Sequence, residues 1–225
     1  MDFRLIVLNI KQFCPQLSVP VIKQRVNVRY QQILGYEDWE FLNSSTTLST
    51  ISGTVVYSPV VGNVAEIRSM TYETDMREVS QEYLNRIDPE RETTGSPQYW
   101  YIDSKSSALG IVSFGIWPEP DDVYVITVNY KKAVSDMSAD TDTPVFRTEL
   151  LESGSLWDCY RLVYGITQNP AYIGMARDAQ QEFQLLLRQM TIEDLSTASL
   201  PRKVRDARQD SWFDDNFLLD HDVWG

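Results

Sequence analysis

Histidine, the residue best suited to acid–base catalysis near neutral pH, occurs once in this 225-residue chain, as His221 close to the last residue. A histidine-dependent catalytic triad or zinc site therefore lacks its central component. No GxGxxG or P-loop sequence is present, so no segment is a candidate for cradling phosphate groups. The residue types needed for nucleophilic, zinc-dependent or nucleotide-dependent chemistry are not assembled in this sequence.

Carboxylates are the remaining candidates for acid–base chemistry. One group, Glu37, Asp38 and Glu40, surrounds Trp39, and a second group lies in the turn at 118–122. Solvated loop acids are the favoured interpretation of both groups, although composition alone leaves a glycosidase-like pair open. The sequence thus favours a protein that is not an enzyme.

The segment 135–143 is polar and acidic. Its aspartates, Asp136, Asp140 and Asp142, lack the glycine and the terminal glutamate of a calcium-binding loop. We therefore predict a solvated linker, which is the clearest boundary in the chain. Cys14 and Cys159 form no CxxC motif and are predicted to be buried free thiols. No metal or other cofactor is expected.

The net charge and composition of the whole chain argue against further classes of function. A net charge of -12 argues against a surface built to hold nucleic-acid phosphates. No run approaches 18 uninterrupted apolar residues, so a membrane-spanning helix is not expected. The first residues lack a basic leader and a small-residue cleavage site, which argues against a secretory signal. With 43% apolar residues, the chain is large enough for one domain with a sizeable insertion.

Apolar residues recur at three- and four-residue steps near both ends of the sequence, which predicts helices there. The patterns cover residues 3–17, a stretch from Ser18 to Gly35, a stretch from Pro144 to Gly165, and about seven turns that begin at Asn169–Pro170. The aromatic residues at 36–41 are interpreted as a packed corner after the second helix, with a partner-facing patch as the alternative.

Between the helical ends, the sequence turns to Ser, Thr, Gly and β-branched residues. Two to four short strands are predicted between Asn43 and Tyr72, followed by a helix over Met76–Ile87. Two runs rich in Val, Ile, Trp and Tyr flank Pro118–Asp122, which predicts a hairpin or a close relative. From Val123 to Tyr130 the alternate large residues predict a strand with one buried face.

The last residues, 197–225, are predicted to form an extended arm. A basic run is followed by aspartates interleaved with large apolar residues; the residues of interest are Arg202, Lys203, Arg205, Arg208, Trp212, Phe213, Phe217, Leu218, Leu219 and Trp224. Such a segment cannot bury its aromatic side chains by folding on itself, so it needs a groove on its own body or on another chain. In a chain this acidic, the basic run favours a protein interface over nucleic acid.

Several local patterns, taken in order, resemble the head-to-tail adaptor (connector) proteins of tailed bacteriophages. The resemblance spans about residues 20–190. It is carried by Trp39–Leu42, by Ser52–Tyr57, by Gly95–Trp100, by Trp117–Asp121 with the following strand up to Tyr130–Lys132, and by the paired helices after Pro144.

The resemblance implies an α+β fold. An antiparallel four-helix bundle is built from both chain ends (1–43 and 144–196), with an inserted β-sheet or β-sandwich domain (44–135, including a short helix) and the extended C-terminal arm (197–225). It further implies a homo-oligomeric ring, commonly of twelve copies, at the head–tail interface of a virion assembled in the host cytoplasm. The ring docks on the portal protein, receives the tail or nozzle protein, and lets DNA pass through its lumen without sequence-specific or membrane contacts.

Within that picture, the arm is expected to clip onto the portal or a neighbouring subunit. The loops of the β domain are expected to face the tail, through Thr94, Gly95, Glu119, Asp121 and Asp122. A competing hypothesis is a carbohydrate-binding or carbohydrate-active module that uses exposed Trp and Tyr side chains of the sheet.

Overall fold

The computed structural model describes residues 1–59, 62–106 and 110–197. Its helices are α1 (Phe3–Phe13), α2 (Val19–Tyr36), α3 (Gln81–Ile87), α4 (Thr148–Thr167) and α5 (Ala171–Thr197), with a short 3₁₀ helix at Glu40–Leu42. Its strands are β1 (Asn43–Ser49), β2 (Val56–Tyr57), β3 (Val64–Tyr72), β4 (Thr74–Glu78), β5 (Tyr99–Ser106), β6 (Gly110–Trp117) and β7 (Val125–Lys132). The predicted α+β class is confirmed.

The helix boundaries follow from local capping chemistry. The Asp2 carboxylate accepts from the Leu5 amide at 2.8 Å and caps α1, because the first amides of a helix have no partner within the helix. The Asn169 side chain accepts from the Ala171 amide at 3.0 Å at the start of α5, as its sequence predicts. Ser18 occupies the cap position of α2 but makes no side-chain hydrogen bond there.

Helix α4 is the centre of the helical part. Nine of its residues are buried, in positions that cover most of its circumference. Helices α1, α2 and α5 all pack on it, and their side chains share one apolar core with those of α4. A helix that is covered on nearly every side is typical of the interior of a protein.

A buried arginine connects three of these helices. Arg29 of α2 is 1% exposed and binds the Asp158 carboxylate of α4 through Nε at 3.0 Å and Nη2 at 2.5 Å. Its guanidinium carbon lies 4.7 Å from the Trp157 ring centroid and 5.1 Å from the ring centroid of Phe183, which belongs to α5. The charge is therefore neutralised and stacked at the same time.

The acidic segment 135–143 is mostly exposed, as the sequence predicts, but it is also anchored to the helices. Met137 is 5% exposed and belongs to the helical core, and Asn27 bonds both its amide and its carbonyl group. The carbonyl groups of Asp140 and Asp142 accept from the first amides of α1. One apolar side chain and complementary backbone contacts thus anchor the segment to the helices.

The described strands form a seven-stranded mixed sheet in the order β1-β7-β3-β4-β5-β6-β2. The predicted hairpin across Pro118–Asp122 is wrong, because β6 pairs with β5 and β2 whereas β7 pairs with β1 and β3. The intervening residues carry the chain from one part of the sheet to another. The Trp117–Pro118 peptide at the start of this crossing is cis.

The sheet encloses a second apolar core. The predicted buried face of β7 is confirmed, since Ile126, Val128 and Tyr130 are at most 5% exposed. The helix predicted from Met76 begins later, at Gln81. Met76 lies in β4 opposite Met70 and is buried in the sheet core, so a strand takes precedence over the helical pattern there.

We expect the Asp158→Ala variant to be much less stable than the Asp140→Ala variant. Removing Asp158 leaves a buried guanidinium without its carboxylate, which costs about 3 kcal/mol of unfolding free energy. Asp140 pairs with Lys23 in an exposed position, and such pairs contribute little. Urea denaturation followed by circular dichroism measures both losses, and equal losses would contradict the role assigned to Arg29.

Candidate interaction surfaces

Loops from three parts of the sequence meet at one end of the sheet. The distal loops, 50–54, 88–95 and 118–124, bring all five residues predicted to face the tail into one region. Thr94 and Glu119 form a parallel bridge, and the Gly95 amide donates to the Glu119 carbonyl at 2.9 Å. The Gly53 amide donates to the Pro120 carbonyl at 2.9 Å. The sequence did not predict the contribution of 50–54.

Asp88 organises the middle loop. Its carboxylate accepts from the Trp117 indole N–H at 3.0 Å and from the amides of Glu92 and Thr93 at 3.2 and 3.1 Å. The Trp117 hydrogen bond, with those from the loop amides, lowers the pKa of Asp88 to about 2. The loop 88–95 is thus held to β6 by an ionised carboxylate at neutral pH.

Tyr124, Asp121 and Thr50 tie the other two distal loops together. The Tyr124 hydroxyl donates to the Asp121 carboxylate, and this hydrogen bond is the main cause that raises the pKa of Tyr124 to about 12. The Thr50 hydroxyl donates to the Asp122 carbonyl at 2.9 Å and accepts from the Tyr124 amide at 2.7 Å. These hydrogen bonds fix the backbone of both loops, so the exposed Asp121 and Asp122 are held in defined positions at this end of the sheet.

The distal loops also expose apolar side chains. Ile51 and Val123 are each 62% exposed and Val125 is 58% exposed, next to the exposed Asp121 and Asp122. Strand β1 leaves the helical part at Asn43 and ends at Ser49 after seven residues, which places the far end of the sheet on the order of 20 Å from helices α1, α2, α4 and α5. An apolar patch with acidic neighbours at the far end of the sheet is suited to protein contact.

Two helices expose apolar side chains on the faces that point away from the core. Helix α1 presents Leu5 and Leu8, with Met1 just before the helix, although the opposite face of α1 is already buried. Helix α5 presents Leu185, Ile192 and Leu195, which are 51–67% exposed. We call these the α1 face and the α5 face. A surface helix normally carries polar residues there, so each face is a candidate for contact with another protein.

The two faces lie on separate helices that both pack on α4. Asn9 of α1 and Cys14, the residue that ends α1, lie close to Glu152 and Cys159 of α4. Helix α5 packs on α4 through Phe183 on Trp157 and Tyr172 on Tyr160. The Tyr172 hydroxyl also accepts from the Gln16 side chain at 2.8 Å, so the end of α1 and the start of α5 are neighbours.

A groove of about 480 Å³ lies where the helices meet the sheet. Its lining includes Leu34, Gly35 and Leu42 from the helical side and three lysines from the sheet, Lys105, Lys131 and Lys132. We call it the junction groove. The sequence reasoning missed it, since the lysines are far apart in the chain apart from the pair at 131–132.

The acids near Trp39 were predicted to be solvated, but one of them, Asp38, forms ion pairs. Asp38 accepts from Arg68 and, at 3.1 Å, from Lys131. Burial raises the pKa of Asp38, but the two cations outweigh it and hold that pKa below its ordinary value. Trp39 itself is buried and donates its indole N–H to the Ile33 carbonyl at 2.7 Å. The prediction of a packed aromatic corner is therefore confirmed, and its partner-facing alternative is wrong for Trp39.

Other expected chemistry can be located directly. Cys14 and Cys159 are buried free thiols, as predicted, and burial raises the pKa of these thiols to about 11 and 12. Among the described residues, no group of His, Cys, Asp and Glu is placed to hold a metal ion. Within the described ranges, no helix has the length and apolarity needed to cross a bilayer.

The aromatic residues of the sheet differ in exposure. Trp100 and Tyr101 are 2% and 6% exposed, whereas Tyr99 and Trp117 are half-buried with their ring centroids 5.5 Å apart. The Trp117 indole N–H donates to Asp88. The two buried residues cannot contribute to the aromatic surface that a carbohydrate module needs. The predicted arm residues from Arg202 to Trp224 lie outside the described residues.

Comparison with protein families connects these surfaces to a known group. The family model described as SU10 adaptor protein matches residues 19–206. The chain belongs to the SU10 adaptor protein family. The resemblance to phage head-to-tail adaptors is thereby confirmed, and this member of the family is a structural protein of a bacteriophage. No curated protein matches the chain.

The matched range shows which parts of the chain belong to the family pattern. It begins at the start of α2, includes the whole sheet with its distal loops, and continues past the end of α5. Helix α1, with its outward apolar face, precedes it. Association with phage portal and tail components follows from the family.

We expect the loop 88–95 to loosen in acid. The folded-state pKa of Asp88, about 2, lies below the ordinary value of 3.8, so its stabilising contribution is present above pH 3.8 and is lost as the pH falls through 2. In proton–nitrogen NMR spectra, the Trp117 indole resonance should shift with a midpoint near pH 2. Asp88→Asn should abolish this transition, whereas Glu90→Gln should retain it.

Proposed function

We propose that this adaptor forms a ring of twelve copies that joins the portal protein to the tail or nozzle protein. The helical parts from both chain ends, 1–43 and 144–196, form an antiparallel bundle that makes the body of the ring. The β domain, 44–135, projects towards the tail, and the arm, 197–225, reaches the portal or a neighbouring subunit. The role is structural and not enzymatic, in a virion assembled in the host cytoplasm.

The observation that supports the ring is the pair of separate apolar faces. A closed ring is built from heterologous contacts, in which one patch of a subunit meets a different patch of the next. The α1 face and the α5 face suit such a contact, because both are exposed and apolar and they lie on separate helices that pack on α4. A symmetric dimer needs only one such patch.

The orientation towards the tail is supported by the distal loops. They lie at the end of the sheet away from helices α1, α2, α4 and α5, and their backbone is fixed by hydrogen bonds between loops. Their exposed Asp121 and Asp122 surround an apolar patch that includes Val123. In this proposal Thr94, Gly95, Glu119, Asp121 and Asp122 contact the tail component.

The acidic balance of the chain supports a role beside moving DNA. With a net charge of -12, an adaptor ring around the genome repels phosphate groups and does not trap them. Affinity then resides in protein–protein contacts, and DNA passes through the lumen without sequence-specific binding.

We expect Ile192→Glu on the α5 face to prevent ring assembly. A charged side chain in an apolar contact loses its hydration without gaining a partner. Ile166→Glu is the matched control, because Ile166 and Ile192 are 66% and 67% exposed in the monomer but Ile166 lies outside both faces. Native mass spectrometry with and without portal protein measures the oligomer, and equal assembly of both variants would contradict the proposed interface.

Removing the arm tests the second contact. A chain that ends at residue 196 should keep the helical circular dichroism signal, because the core residues that the structure describes all precede that point. It should fail to assemble on portal protein, since the apolar side chains of the arm are lost. Complete assembly by the shortened chain would refute the role of the arm.

A further inference from the structure

The junction groove has the form of a binding site. Its volume of about 480 Å³ falls within the range of roughly 300–1,000 Å³ typical of pockets that hold a ligand. Leu34, Leu42 and Val134 supply apolar lining. A groove of this size has room for one or two aromatic side chains.

The lining of the groove is rich in lysine, and the carboxylates of Asp38 and Asp136 lie beside it. The sequence contains six lysines, and three of them, Lys105, Lys131 and Lys132, line this groove. Its lining contains no Asp or Glu among the described residues. Lys131 contacts Asp38 nearby, whereas the exposed Lys105 and Lys132 form no ion pair with the described residues. An acidic and apolar ligand matches this combination.

One segment of this same chain has that chemistry. Residues 210–225 contain five aspartates and no Lys or Arg, together with large apolar residues from Trp212 to Trp224. We propose that the junction groove binds segment 210–225 of its own chain in the unassembled subunit. Aromatic side chains occupy the apolar lining, and the aspartates face Lys105 and Lys132.

Helix α5 ends close to the junction groove. The Asp194 carboxylate in the last turns of α5 accepts from the Glu40 amide at 3.0 and 3.1 Å, and Leu42, two residues further on, lines the groove. Between Thr197 and the acidic segment lie residues 198–209, which span at most about 40 Å. The tether therefore allows the segment to reach the groove of its own subunit.

The tether also favours the same chain over a second copy. A segment joined by a short linker has an effective concentration in the millimolar range, far above a typical concentration of free subunits. Docking covers the apolar side chains of the arm until a stronger partner displaces them. The proposal concerns the free subunit, so it does not depend on the ring.

Zero-length cross-linking of the full chain tests the contact. A carbodiimide should join Lys105 and Lys132 to the aspartates of 210–225, detected by mass spectrometry of the monomer. Lys11 and Lys23, which lie outside the groove, show the background level of cross-linking to these aspartates. A mixture of ¹⁴N- and ¹⁵N-labelled chains should give links within one chain only. Links between chains, or links spread evenly over all lysines, would overturn the proposal.

Charge reversal provides an independent measurement. In the Lys105→Glu/Lys132→Glu variant, acrylamide should quench the fluorescence of Trp212 and Trp224 more strongly than in the natural chain. The same measurement on chains that also carry Trp212→Phe/Trp224→Phe gives the fluorescence of the other tryptophans, and subtracting it isolates the signals of Trp212 and Trp224. The control Arg86→Glu/Arg177→Glu makes the same change of charge at exposed positions outside the groove, and unchanged circular dichroism verifies folding. Equal quenching in the two charge-reversed chains would refute docking in the groove.

Discussion

The helical part of this adaptor depends on how one buried positive charge is neutralised. Arg29 enters the interior between α2, α4 and α5, where an unpaired guanidinium is strongly unfavourable. Gly154 makes the space for it, since a Cβ atom there would lie 2.8 Å from Phe183 Cδ2 and 2.9 Å from Arg29 Cδ. The three helices are therefore fixed in one register, and the outward directions of the α5 face and of the end of α5 follow from it.

Local chemistry makes much of this fold predictable. The 3–4 spacing of apolar residues gives the long helices, and Asn169 followed by Pro170 marks the start of α5 because the Asn side chain satisfies a free amide. The strand order was not predictable in the same way. Pro118–Asp122 has the composition of a hairpin turn, but pairing depends on residues distant in sequence, such as Thr94 and Gly53, which bind the crossing segment.

The candidate surfaces also differ in whether local sequence could predict them. The distal acids were identified because Pro and Asp between two apolar runs indicate an exposed turn. The α1 face was missed, although its signal was present: Leu5 and Leu8 make α1 apolar on the side opposite its core residues. The junction groove left almost no signal, because Lys105 and Lys132 are brought together only by the sheet. The segment 135–143 carried only a small signal, because its contact with the helical core depends on the single apolar residue Met137 in an acidic run.

Strands β1 and β7 carry both covalent connections between the helices and the sheet. They pair along the whole of β1, from Asn43 opposite Lys131 to Ser49 opposite Val125. A force applied to the distal end of the sheet therefore reaches α2 and α4 through two adjacent, hydrogen-bonded strands, and the other strands carry no direct connection to those helices.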